Sequence, residues 1–158
     1  MKKILVSMLI ILSVASLCVY AKDETKFSSK FIKNFKDCDT YQETINSNFE
    51  GQNFTTTRKI NGWMNGFCRY RETVSSPTAK YQIDCNFTDM QVEDLYKAMK
   101  SRSKKVERQS IELFAETIDK NGQKRYIKNG STIIKGSKAY ILWTKYQNNP
   151  YFCTATKL

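Results

Sequence analysis

Two rhythms of apolar and polar residues run along this chain, and the switch from one to the other marks its elements. In KDETKFSSKFIKNFK, residues 22–36, Phe27, Phe31, Ile32 and Phe35 recur at helical spacing with Lys26, Lys30, Lys33 and Lys36 around them. That is the pattern of a short basic amphipathic helix, which either packs on its own domain or lies on an anionic membrane. After Cys38 the texture changes to Thr, Tyr, Phe, Ile and Val interrupted by glycine and asparagine, the composition of strands and tight turns. Strands are predicted over 39–49, 53–62, 67–74 and 80–87, with turns near Gly51, Asn65-Gly66 and Ser75-Ser76-Pro77. The last strand is the clearest, because Tyr81, Ile83, Cys85 and Phe87 alternate with Gln82, Asp84 and Asn86. Gly62, Gly66, Gly122 and Gly130 each follow an Asn, and both residue types tolerate the positive φ that hairpin turns need.

Helical spacing returns at Phe87. Thr88 is placed to cap, Gln91 completes a capping box, and Phe87 is placed to staple against Val92. Val92, Leu95, Tyr96, Met99, Ser103 and Val106 follow one face, with a pause near Ser101–Ser103. Ile111, Phe114, Ala115 and Ile118 resume the spacing before Asp119-Lys120-Asn121-Gly122 ends it, although a strand fits the same residues. Residues 123–136 are polar and turn-rich and take no assignment. Ser137 is placed to cap a short helix, KAYILWTKYQNN, that Pro150 stops, and YFCTATKL reads as a closing strand. Strands, then helices, then a returning strand describe an α+β fold: an antiparallel meander of about four to five strands with helices packed on one face.

The start of the chain changes where this fold is expected to live. MKKILVSMLIILSVASLCVYA sets Lys2 and Lys3 ahead of an apolar run from Ile4 to about Leu12 and then small residues, the layout of a secretory signal peptide. The run is short for a membrane span. Cleavage is expected after Ala21, giving residues 22–158 as one domain in a periplasmic or secreted protein with no span left. A lipid anchor on Cys18 is the competing reading, weakened by Leu17 where such a box takes a small residue.

Export gives the cysteines meaning. Beyond residue 21 the chain keeps Cys38, Cys68, Cys85 and Cys153, an even count that argues for two disulfides over buried thiols, with three pairings open. A simple meander brings Cys38, Cys68 and Cys85 to one end of the sheet. A hairpin centred between Ser76 and Pro77 sets Cys68 opposite Cys85, where side chains come close enough to bridge. The expected pairing is therefore Cys68–Cys85 with Cys38–Cys153. In INGWMNGFCRY, residues 60–70, a turn at Asn65-Gly66 makes Met64 face Phe67 and Trp63 face Cys68. Trp63 is thus expected in the core or at its rim, against a disulfide, in preference to an exposed ligand platform. Asn61-Gly62 is a candidate bulge.

Charge and chemistry narrow the function classes. The net charge is +11, of which Lys2 and Lys3 supply two and residues 1–21 no acid, leaving about +9 after cleavage. Such a charge favours anionic partners: membrane surfaces, wall polymers or nucleic acid. The strongest run is Lys97, Lys100, Arg102, Lys104, Lys105 and Arg108 against the single acid Glu107. It is either a phosphate-docking surface or merely a solvated helix face. No nucleic-acid motif accompanies it, and export makes nucleic acid a poor partner. The chain has no histidine, which removes the usual general base and the commonest metal ligand. The four cysteines form no C-x-x-C pair, so no zinc site, redox motif or other cofactor is expected. Asp37 with Asp39, and Glu93 with Asp94, are carboxylate pairs of no recognisable catalytic spacing. The N-x-[S/T] sequons at Asn53, Asn86 and Asn129 matter only in a glycosylating cell.

The series GWMNGFCRY, YQIDCNFTDMQVEDL and WTKYQNNPYFC resembles small uncharacterised exported bacterial four-cysteine proteins with a G-W-x-N-G-x-C-x-Y turn, a strand-Cys-F-T helix start and a late W-x-K-Y helix. The likeness runs in outline from Cys38 to Cys153 and departs over Ser101–Lys138. It implies fold and export and transfers no functional residue. The expectation is an exported non-enzymatic binding or accessory protein with its basic surface toward an anionic envelope surface or another protein. The alternatives are a small carboxylate hydrolase and a secreted inhibitor or effector.

Overall fold

A computed structural model describes residues 27–49, 51–101 and 105–158. The expected signal segment, Cys18, Arg102 and Lys104 lie outside them. The elements run α1 (Ser29–Asp37), β1 (Tyr41–Phe49), β2 (Gln52–Met64), β3 (Phe67–Ser75), β4 (Lys80–Phe87), α2 (Asp89–Lys100), β5 (Glu107–Ile118), β6 (Lys124–Gly136), α3 (Lys138–Gln147) and β7 (Cys153–Lys157). The fold is α+β. Strands β1 to β4 form an antiparallel meander that β7 closes beside β4, and β5 and β6 make a separate two-stranded ribbon.

Each helix starts where a hydroxyl can satisfy the free amides of its first turn. Ser28 Oγ accepts from Phe31 N, Thr88 and Gln91 form the full capping box, and Ser137 accepts from Tyr140 N. The three helices bury Phe31 and Phe35, Val92, Leu95 and Met99, and Trp143 against the Ile60, Tyr70, Cys85 and Phe87 face of the sheet. Trp143 is the hub: its ring lies 4.9 Å from those of Phe27 and Tyr70, 5.6 Å from Phe35 and 5.8 Å from Phe87. Phe27, Phe31 and Phe35 all turn toward this centre, so the amphipathic face of α1 packs on its own fold.

The disulfides differ from the expected pairing. Cys38 bonds Cys68 and Cys85 bonds Cys153. The β3–β4 hairpin closes with Ser75 opposite Lys80, and Ser76 holds the four-residue connection through bonds to Ala79. The hairpin is thus centred between Pro77 and Thr78, one residue beyond the expected centre between Ser76 and Pro77. Every pair slides by two, the faces are kept, and Cys68 meets Phe87 while Cys85 meets Tyr70. Strand β7 then sets Cys153 directly opposite Cys85, with Cα atoms 4.1 Å apart. Cys38, in the left-handed position that ends α1, is left beside Cys68. Disulfides persist in oxidising compartments outside the reducing cytosol. No helix among the described residues is long and apolar enough to cross a membrane.

The second correction concerns residues 105–136. The helical spacing of Ile111, Phe114, Ala115 and Ile118 belongs to strand β5, and the unassigned stretch is its partner β6. Ile111 and Ile134 are buried with Ile141 of α3 in a small separate core, while most of β6 is exposed. A ribbon solvated over most of its length shows no clean alternation, because few of its positions select for apolar residues.

Candidate functional site

Two polar constellations stand out, one sealed and one open. The sealed one sits under the α1 N-terminus, where neighbouring strands turn charged residues inward. Arg58 of β2 lies between Glu43 of β1, at 3.4 Å, and Glu72 of β3, at 3.6 Å, with side chains only 6%, 10% and 11% exposed. Its guanidinium carbon is 4.7 Å from the centre of the Phe27 ring, a cation–π contact. The Tyr70 hydroxyl donates to Glu72 at 2.6 Å. Ser28, already the cap of α1, donates to Glu43. Burial, and then the charge of Glu72, push the Tyr70 phenol well above its ordinary value. Both carboxylates are thus committed to one guanidinium under an aromatic lid, which ties the start of α1 to the sheet. No group of three or more His, Cys, Asp or Glu among the described residues is placed to hold a metal ion.

The open constellation is a groove of about 310 Å³ between α1 and α2. Ile32, Tyr96 and Met99 supply its apolar part, and Lys33, Lys36 and Lys100 surround it together with Ser29 and Asp37. The placement follows from helix geometry. Phe31 and Phe35 point to the core, so Lys33 and Lys36 ride the opposite, solvated side of α1, and Ile32 fills the seam with α2. Lys100 sits in the last turn of α2, with its ammonium 5.6 Å from the centre of the Tyr96 ring. Asp37 pairs with Lys36 at 3.7 Å across exposed side chains, a weak contact in water. Three lysines on long stems thus surround a partly apolar floor, so the groove combines positive charge with apolar surface.

The predicted basic run is divided by the fold. Lys97 and Lys100 lie on α2, Lys105 lies in the connection, and Arg108 lies on the exposed start of β5, so the run does not follow one helix face. Lys97 pairs with Glu93 at 2.6 Å one turn back. That hydrogen bond, followed by the carboxylate charge, raises its pKa. Among the described residues of the expected surface, Lys100 alone lines the groove. Lys33 and Lys36 join it from α1, with the four strands of the meander between them and Lys100 in sequence, where no spacing rule connects them. Of the carboxylate pairs, Asp37 and Glu93 each go to a lysine.

Trp63 occupies the rim. It is opposite Cys68 as expected, its indole N–H donates to the Asp37 carbonyl at 3.1 Å, and it stays 44% exposed. The bulge at Asn61-Gly62 and the turn with positive φ at both Asn65 and Gly66 are formed.

No protein-family model, no curated protein and no solved structure matches this chain.

Proposed function

We propose that this is an exported, non-enzymatic binding or accessory protein that uses the α1–α2 groove to hold an anionic component of the cell envelope. The observation that carries the reading is the convergence of Lys33, Lys36 and Lys100, from two helices, on one groove with an apolar floor. The strong net positive charge supports it by raising the local concentration of anionic partners. Export is supported by the Lys2-Lys3 and Ile4–Leu12 layout together with the two disulfides. The reading places the mature start at Lys22.

The test uses soluble polyphosphate as the anion and the triple variant K33E/K36E/K100E. All three side chains are exposed, so the fold is expected to survive. Each lysine near an anionic surface contributes about 1 kcal/mol, and reversal counts roughly twice, so affinity is expected to fall at least 100-fold. The control K120E/K124E/K135E, on the ribbon, is expected to weaken binding far less. Equal losses from both variants would mean that net charge alone binds and the groove has no special part.

A further inference from the structure

We propose that the β2–β3 hairpin tip, Trp63, Met64 and Phe67, is a membrane wedge that inserts between the lipids of an anionic bilayer while the adjoining lysines hold the phosphates. This rests on the groove reading and specifies its partner as a lipid surface.

The tip sets an ordinary Asn-Gly turn between large exposed apolar side chains. Residues 63–67 are all exposed, Met64 by 54% and Phe67 by 39%. A side-chain carbon added at Gly66 would meet nothing within 4 Å, so the turn stands clear of the body. Solvated turns favour Gly, Asn, Asp, Ser and Pro. Here Asn65-Gly66 supplies the bend, and three large apolar side chains flank it.

They cover both sides of the ribbon. Met64 and Phe67 face each other across the turn, on the sheet face turned away from the helices, where their neighbours on the same face are Lys59, Arg69 and Arg71. Trp63 is on the helix side, its indole N–H tied to the Asp37 carbonyl. Three large apolar side chains are therefore exposed together at one projecting tip beside charged neighbours. An indole that keeps a hydrogen bond while its ring is half open suits the boundary between headgroups and acyl chains.

Charge complementarity selects the occupant. Asp37, the anchor of Trp63, also lines the lysine groove, so tip and lysines adjoin. Arg69, two residues from Phe67, is bonded to the neutral Asn86 side chain and keeps its charge uncompensated by that contact. Apolar residues at the point with cations behind them match the layered chemistry of a bilayer surface: acyl chains, then phosphates.

The experiment uses the protein recovered after export, its N-terminus verified by mass, with vesicles of phosphatidylglycerol and phosphatidylcholine or of phosphatidylcholine alone. The chain has two tryptophans, and Trp143 is 4% exposed in the core, so a change in emission on binding reports Trp63. The mixed vesicles are expected to sediment the protein, shift the emission to the blue and allow quenching by brominated acyl chains. The variant M64S/F67S is expected to lose about tenfold or more in vesicle partitioning while its polyphosphate affinity is unchanged. Equal partitioning by this variant, or bound protein with no emission shift, would overturn the wedge. Binding of polyphosphate without binding of mixed vesicles would also overturn it and leave the groove reading standing. Failure to bind either would remove both.

Discussion

Loss of Arg58 would leave two nearly buried carboxylates without their counter-ion. Arg58 is the shared counter-ion of Glu43 and Glu72, and all three side chains are nearly out of solvent. Removing one partner of a buried ion cluster leaves charge without compensation, which costs about 3 to 5 kcal/mol. Arg58→Ala is therefore expected to lose that much in urea unfolding, and a loss under about 1 kcal/mol would show that the cluster is not sealed. Tyr70 gives the same cluster an alkaline limit. Its phenol is held neutral by burial and by Glu72, well above the usual value of 10.0. The folded form thus binds that proton more tightly, and the contribution is intact below pH 10 and lost as pH rises through the folded value. Thermal stability followed by circular dichroism is expected to fall above about pH 10, with a shallower fall in Tyr70→Phe. Some fall remains in that variant, since Tyr146 is also raised, by burial and then by the charge of Asp94. Identical alkaline profiles would contradict the assignment. None of this was legible in the sequence, because Glu43, Arg58 and Glu72 meet only across a ladder.

At the scale of elements, what local chemistry decides was readable. The capping box at Thr88, the Ser137 cap and the Asn65-Gly66 turn act within a few residues, and all formed as expected. What failed was decided by pairing at a distance. A connection held by Ser76 and Ala79 slid the β3–β4 register by two places and exchanged the disulfide partners. The ribbon hid itself because its partner strand is mostly wet. The correct pairing has its own consequence. Loops of 30 and 68 residues are closed, which the chain-entropy model converts to about 3.6 and about 4.4 kcal/mol. Replacing Cys85 and Cys153 by Ser should therefore cost somewhat more than replacing Cys38 and Cys68, as read by denaturant midpoints. The opposite order would mean that Cys38–Cys68 does more than shorten a loop, since it also fixes the end of α1. For the ribbon, Ile134→Ala is expected to lower amide protection in β5 and β6 while leaving β2 to β4 protected, because Ile134 belongs to the separate Ile111–Ile141 core. A uniform loss in both sheets would show one cooperative unit.

For the whole molecule, the sequence announced a basic, disulfide-bonded α+β protein and left the binding site scattered. Lys33 and Lys36 looked like the solvated side of a helix, and Lys97 to Arg108 looked like a longer one. The fold keeps Lys100 from the second set and sets it beside the first. The same fold sets Trp63, expected in the core or at its rim, at an exposed turn beside Met64 and Phe67. Trp63 does face Cys68, but the helix layer ends there, and the ring remains at the edge.

The salt dependence of polyphosphate binding by the wild-type protein and K33E/K36E/K100E decides whether the α1–α2 groove holds anions. Anion binding by a few lysines makes the logarithm of affinity fall linearly with the logarithm of salt concentration, with a slope of about 2 to 3 for three contacts. That slope is expected for the wild type, with near-complete loss of binding in the variant. Affinity that is indifferent to salt, or a variant that binds as the wild type does, would contradict this role of the groove.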